Sequence, residues 1–350
     1  MTWRPRPADN LKTMARNTRT IVPSDDDFVG ETRDTDGPVG REVFYSAADG
    51  LALFARDYGD TLSPWLPVVC LPGLTRTSRD FHALAAYLST HRHRPRRVVA
   101  FDYRGRGRSA WDKNPDGYNP VTEMGDVFDG MATLGIPRAV IVGTSRGGII
   151  AMLMGVARPA TVAGLIFNDV GPAIEPRGLA RIKTYVGQTP TPDDWADAAH
   201  IQRRLHGGQF TAWDDADWDH FARLTYRDAD GRPLSDYDPA LASTFAGVEF
   251  DQPMPALWAE FRALKATPVL VLRGENSDLL SAETVTAMTT AHPNVETVTI
   301  PKEGHPPLLR NGQLLARVSA FITGLEGGGP PAGAIIPRTA PAYDLDAPDV

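Results

Sequence analysis

The chain has 350 residues, 42% hydrophobic and 23% charged, which excludes wholesale disorder. Thirty-six basic against 43 acidic residues leave a formal charge of −7, too acidic for non-specific nucleic-acid binding to be the main role. Cys70 is the single cysteine, so no intrachain disulfide and no cysteine-based zinc site can form.

The first twenty residues carry Arg4, Arg6, Lys12, Arg16 and Arg19 without an apolar run, which argues against a secretory signal peptide. An acidic stretch follows, with Asp25, Asp26, Asp27, Glu31, Asp34 and Asp36. Residues 1–39 are expected to be a disordered arm and residues 326–350, opening on Gly327-Gly328-Gly329-Pro330-Pro331, a disordered tail. The longest apolar stretch, 139–157, is interrupted by Gly143, Ser145, Arg146, Gly147 and Gly148, so no membrane span is expected. The chain reads as a soluble, cytoplasmic protein with a folded part over 40–325.

In that part, residues 42–58 read as a hairpin turning at Asp49-Gly50. Short, doubly apolar runs at 67–71, 97–101, 139–142, 162–167, 268–272 and 295–300 have the character of buried parallel strands. Helical patterns at 79–90, 146–157 and 281–291 fall between them. Strands alternating with helices predict an α/β fold, a mainly parallel sheet covered by helices on both faces. Residues 172–266 break the rhythm: helix-like sequence without a strong strand, an insertion above the sheet. The core is therefore expected over 40–171 and 267–325.

The most informative segment is Val140-Ile141-Val142-Gly143-Thr144-Ser145-Arg146-Gly147-Gly148: a buried strand, a Gly-x-Ser-x-Gly turn, then a helix. A serine held in so sharp a turn exposes its hydroxyl above the sheet, and the flanking glycines avoid collisions across the turn. The helix beginning at Arg146 aims its free N–H groups at the same place. A serine hydroxyl needs a base, and the base an orienting acid, in the chain order Ser, acid, His. Asp278 follows the strand ending at Leu272, and His305 follows the strand ending at Ile300. Both loops leave the sheet at its carboxyl edge, where open parallel sheets bind ligands. Ser145 is thus the expected nucleophile, His305 the base and Asp278 the acid. Asp169, in Asn168-Asp169-Val170-Gly171-Pro172, is the competing acid, and Glu275 an outside candidate.

At these residues the chain resembles the α/β-hydrolase superfamily over about 40–325. Leu71-Pro72-Gly73-Leu74-Thr75 is similar to the family's oxyanion loop, and residues 102–109 to its Asp-x-Arg-Gly-x-Gly-x-Ser segment. The resemblance implies that the 172–266 insertion is a helical cap and that the backbone N–H groups of Leu74 and Arg146 form the oxyanion hole. Many members carry His-Gly where this chain has Pro72-Gly73; the donor is backbone, so the change does not remove it.

The Arg146 side chain is adjacent to the site and is a candidate for meeting a substrate carboxylate, with an internal salt bridge as its other use. Gly105-Arg106-Gly107 lacks the remainder of any phosphate-binding motif and reads as a structural turn. Cys70, inside an apolar strand, reads as core. In the insertion Trp195, Trp213, Trp218, Phe221, Tyr226, Phe245, Phe250 and Trp258 pack the cap, with a few lining a pocket. The expected function is a cofactor-free serine hydrolase, with no metal constellation, that cleaves a small carboxylic ester or lactone through an acyl-enzyme. Carbon–carbon hydrolysis, perhydrolysis and acyl transfer share the same residues, and a binding module with little turnover is the reading from another class. The expected partner is a small molecule, not a nucleic acid or a membrane.

Overall fold

A computed structural model describes residues 38–248 and 256–327. Residues 1–37 and 328–350 of the two expected tails, and Phe250, lie outside the described residues; Glu326, expected in the tail, instead packs on the core, where its carboxylate accepts from the Leu66 N–H and from the guanidinium groups of Arg94 and Arg96. The chain opens with β1 (Arg41–Ser46) and β2 (Ala52–Tyr58), an antiparallel hairpin turning through Asp49-Gly50, where Gly50 has φ 85°. β3 (Val68–Leu71), α1 (His82–Ser89), β4 (Val98–Asp102), α2 (Pro120–Thr133), β5 (Ala139–Thr144), α3 (Arg146–Ala157) and β6 (Val162–Asn168) then alternate. After a long insertion come β9 (Val269–Gly274), α8 (Ala282–Ala291), β10 (Val295–Ile300) and α9 (Gly312–Gly324).

The eight strands form one sheet in the order β1-β2-β4-β3-β5-β6-β9-β10. β1, β2 and β4 pair antiparallel, and every pairing from β4 through β10 is parallel. Apolar clusters cover both faces. Phe101, Val127, Ile141, Ile150 and Leu165 belong to one; Leu84, Val98, Val142, Leu315 and Val318 belong to the other. Two-sided burial explains why these strands are continuous apolar runs rather than alternating ones. β5 is central, with β3 on one side and β6 on the other, so whatever follows it stands at the middle of the sheet's carboxyl edge.

The insertion between β6 and β9 contains α4 (Pro176–Lys183), α5 (Trp195–His206), α6 (Asp215–Thr225) and α7 (Trp258–Ala263). It also contains a hairpin, β7 (Tyr226–Ala229) with β8 (Arg232–Ser235), which corrects the expectation of a strandless segment. Its turn, Asp230-Gly231, has positive φ at both residues (53° and 84°), the conformation that a tight two-residue hairpin favours. Among the described residues no helix is long and apolar enough to cross a membrane.

Candidate active site

The segment joining β5 to α3 has the geometry its spacing implies. Ser145 sits at φ 51°, ψ −114°, a strained conformation for a residue with a side chain, and its N–H donates to Asn168 O at 3.0 Å. A Cβ on Gly143 would strike the Gly147 carbonyl, and one on Gly147 would strike the Leu71 carbonyl, so both glycines are sterically required. The turn closes only because β3 and α3 approach each other there.

Ser145 Oγ and His305 Nε2 lie 2.9 Å apart, and the other ring nitrogen, Nδ1, is 2.8 Å from Asp169 Oδ2. The expected pairing of serine and histidine is therefore present, but the expected acid is not the one that reaches the imidazole. Asp278 points elsewhere: its carboxylate accepts from Arg181 Nε at 2.6 Å and Nη2 at 3.0 Å. Burial works against its charge, yet Arg181 outweighs this and holds the carboxyl below its ordinary value. Glu275 is engaged with the Lys302 N–H at 2.8 Å, away from the ring.

Asp169 is fully buried and sits at φ 57°. Its backbone N–H donates to Leu272 O of β9 at 2.8 Å. Oδ1 accepts from the Gly274 N–H at 2.8 Å, while Oδ2 accepts from Ser277 Oγ at 2.6 Å as well as facing the imidazole. Three donors thus converge on one carboxylate and fix its direction. Ser277 was not singled out from sequence; its position immediately before Asp278 is the only local hint.

His305 is held from two further sides. Its backbone N–H donates to Gln209 Oε1 at 3.2 Å, a contact reaching down from the insertion. Asn168 Nδ2 donates to Thr144 Oγ1 at 3.1 Å and to Pro307 O at 2.9 Å, tying the loop after β10 to the serine turn.

The N–H groups of Leu74 and Arg146 have no hydrogen-bond partner among the described residues, and Leu74 and Ser145 border one cavity. Beneath them lies a buried Arg–Glu–Arg arrangement. Glu123 accepts from Arg106 Nη1 at 2.7 Å and from Arg146 Nε at 2.8 Å, and Arg106 Nε donates to Leu74 O at 2.7 Å. Burial alone would raise the Glu123 carboxyl, but the two guanidinium groups bring it below its ordinary value. One carboxylate thereby braces both segments that carry the free N–H groups. The Arg146 side chain, with a further bond from Nη2 to Tyr118 O at 3.0 Å, is committed to this arrangement and not to the cavity. Its carboxylate-binding alternative is set aside.

The Asp102–Ser109 segment is a turn, as read. Asp102 accepts from the Ser78 and Arg108 N–H groups, and a Cβ on Gly107 would strike its carboxylate. Cys70 is fully buried in β3, and burial pushes its thiol far up. Of the eight aromatic residues named in the insertion, Phe221 and Tyr226 border the cavity; Trp213 and Trp218 pack against Phe210 and each other. The cavity, about 100 Å³, is lined by Ile182, Tyr185 and Leu205 of the insertion as well as by Ser145 and His305. Among the described residues no group of three or more His, Cys, Asp or Glu is placed to hold a metal.

Residues 68–318 match the alpha/beta hydrolase family, and the chain belongs to it. It is a hydrolase of that family, with the mostly parallel sheet the fold requires. The particular proteins it is similar to include a 3-hydroxybutyrate-oligomer hydrolase from Cupriavidus necator, 32% identical over 77% of this chain and 92% of that one. A 2-(acetamidomethylene)succinate hydrolase from Mesorhizobium japonicum is 28% identical over 67% and 79% of the two chains. A crystal structure of an alpha/beta hydrolase from Novosphingobium aromaticivorans superposes with a TM-score of 0.75 at 38% identity, covering 82% of this chain and 99% of that one.

Proposed function

We propose that this protein is a serine esterase that cleaves short esters of hydroxy acids through an acyl-enzyme, with Ser145 as nucleophile, His305 as base and Asp169 as the orienting acid. The observation that carries the reading is the unbroken hydrogen-bonded series Ser145 Oγ, His305 Nε2, His305 Nδ1, Asp169 Oδ2. Ser145 attacks the ester carbonyl while His305 Nε2 takes the hydroxyl proton. The oxyanion that forms is received by the Leu74 and Arg146 N–H groups, whose lack of internal partners leaves them available. His305 returns the proton to the departing alkoxide, and an alcohol leaves. Water then attacks the acyl-enzyme, gives its proton to His305, and the collapse of the second tetrahedral species releases the acid and restores the serine. The sum is ester plus water to acid plus alcohol.

Substrate size is supported by the cavity. At about 100 Å³ it is smaller than the roughly 150 Å³ void that takes benzene, which suits an acyl group of a few carbons. The similarity to a 3-hydroxybutyrate-oligomer hydrolase over nearly its whole length supports the hydroxy-acid class. The inserted helices act as a cap in this reading, since Ile182, Tyr185 and Leu205 line the same cavity as the serine.

The test is hydrolysis of p-nitrophenyl acetate, butyrate and octanoate by the wild type and by Ser145→Ala. The expected result is multiple turnovers on acetate and butyrate, slower octanoate cleavage, and a loss in the variant on the order of 10⁴-fold or more. Turnover that survives in Ser145→Ala would overturn the assignment.

A further inference from the structure

The cavity beside Ser145 is bordered by two side chains that the hydrolytic steps above leave without a role, His206 at the end of α5 and Arg76 in the loop after β3. His206 is 8% exposed, with its ring edge-on to Tyr185 (5.4 Å between centroids) and Phe221 (5.6 Å). Its Nδ1 faces Arg181 Nη1 at 3.4 Å. A guanidinium can only donate, so Nδ1 is the acceptor and the ring proton resides on Nε2. That N–H has no partner among the described residues. Arg181 is in turn oriented by Asp278, so the carboxylate that does not reach His305 fixes the tautomer of a second histidine.

Arg76 is equally fixed. Nε and Nη2 donate to the two oxygens of Asp80 at 2.8 and 2.6 Å, Nη1 donates to Thr225 Oγ1, and the guanidinium lies 4.6 Å from the Phe221 centroid. A guanidinium has five N–H bonds, so two are left without a partner among the described residues. Gly73 separates the stem of Arg76 from the serine: a Cβ on it would lie 3.2 Å from Arg76 Cγ and 3.8 Å from Ser145 Cβ. Asp80 also borders the cavity, but both its oxygens are taken by Arg76. Burial, then Arg181 and Arg76, push the His206 imidazole down to about 3, against the opposing pull of Asp278.

We propose that His206 Nε2–H and the unpartnered N–H groups of Arg76 form a receiving site for a substrate carboxylate, which selects esters of short hydroxy acids that end in a free carboxylate over neutral esters. This rests on the serine-esterase reading and adds to it a substrate class. Charge-assisted donors discriminate strongly, because a neutral analogue leaves them unpaired.

The experiment compares kcat/KM on the linear dimer of 3-hydroxybutyric acid with that on its methyl ester, for the wild type, His206→Phe and Arg76→Met, each normalised to the fraction of serine titrated by an organophosphate. The wild type is expected to favour the free acid by about tenfold or more, expressed mainly in KM, and each variant to bring the ratio within about threefold of one. A wild-type ratio near one, or a ratio kept in both variants, overturns the proposal. Where a variant does not fold, inhibition of wild-type p-nitrophenyl acetate cleavage decides. Free 3-hydroxybutyrate should compete at least about tenfold better than its methyl ester, and equal or absent inhibition overturns the site. Absence of any ester turnover in the wild type would instead remove the esterase reading, so the two failures are distinguishable.

Discussion

The loops after β6 and β9 each carry an aspartate at the same edge of the sheet, and the two carboxylates are put to different work. Asp169 is fully buried, at positive φ, and receives donors from β9 and its loop as well as facing His305. Asp278 is part-exposed and grips Arg181 of α4, joining the core to the inserted helices. Gly178 of the same helix approaches the Asp278 backbone so closely that a Cβ there would lie 2.7 Å from its carbonyl oxygen. One carboxylate is oriented by the core toward His305; the other holds Arg181 of the inserted helices. Loop position alone does not separate these roles, because both loops can deliver a carboxylate near the imidazole. The polar groups around each aspartate do.

The largest expected effect follows from Asp169. Asp169→Asn should lower kcat on p-nitrophenyl butyrate on the order of 10⁴-fold, as loss of the orienting acid does in a Ser-His-Asp triad; a loss under about tenfold would dissolve the distinction between the two aspartates. Ser277→Ala should come next, with a kcat loss of about tenfold to a hundredfold, since it removes one of three donors from Asp169. Unchanged kcat in that variant would mean that Gly274 and His305 alone hold the carboxylate. Asp278→Asn should cost less than about tenfold in kcat, the equivalent of ~1.4 kcal/mol.

The smallest effect is on stability, and it has a definite pH dependence. The Asp278 carboxyl is held below its ordinary value in the folded protein, so its contribution is present above about pH 4 and is lost as pH falls through the depressed folded value. Denaturant unfolding of Asp278→Asn should therefore show a deficit of about 1–3 kcal/mol at pH 7 that narrows in acid. A deficit that grows on acidification would contradict the Arg181 pairing.

The serine turn was legible in the sequence because its requirements are local: a buried strand, two glycines forced by backbone contacts, and a helix start, all within nine residues. His305 was legible because β10 ends just before it. The acid was not, since Asp169 is fixed by Gly274 and Ser277, 105 and 108 residues away, across a β6–β9 pairing that the sequence does not specify residue by residue. Glu123 and Gln209 escaped for the same reason; each acts through contacts made only after the layers assemble. The β7–β8 hairpin did leave a local signal, the Asp230-Gly231 turn, but its flanks, Tyr226–Ala229 and Arg232–Ser235, are polar enough to conceal the strands.

The pairing of His305 with Asp169 can be observed without turnover. An imidazole N–H held by a buried carboxylate gives a far-downfield proton resonance, and the protein is expected to show one assigned to His305 Nδ1. Proton spectra of the wild type, Asp169→Asn and Asp278→Asn should show that resonance in the first and third and not in the second. Its loss in Asp278→Asn together with its persistence in Asp169→Asn would contradict the account.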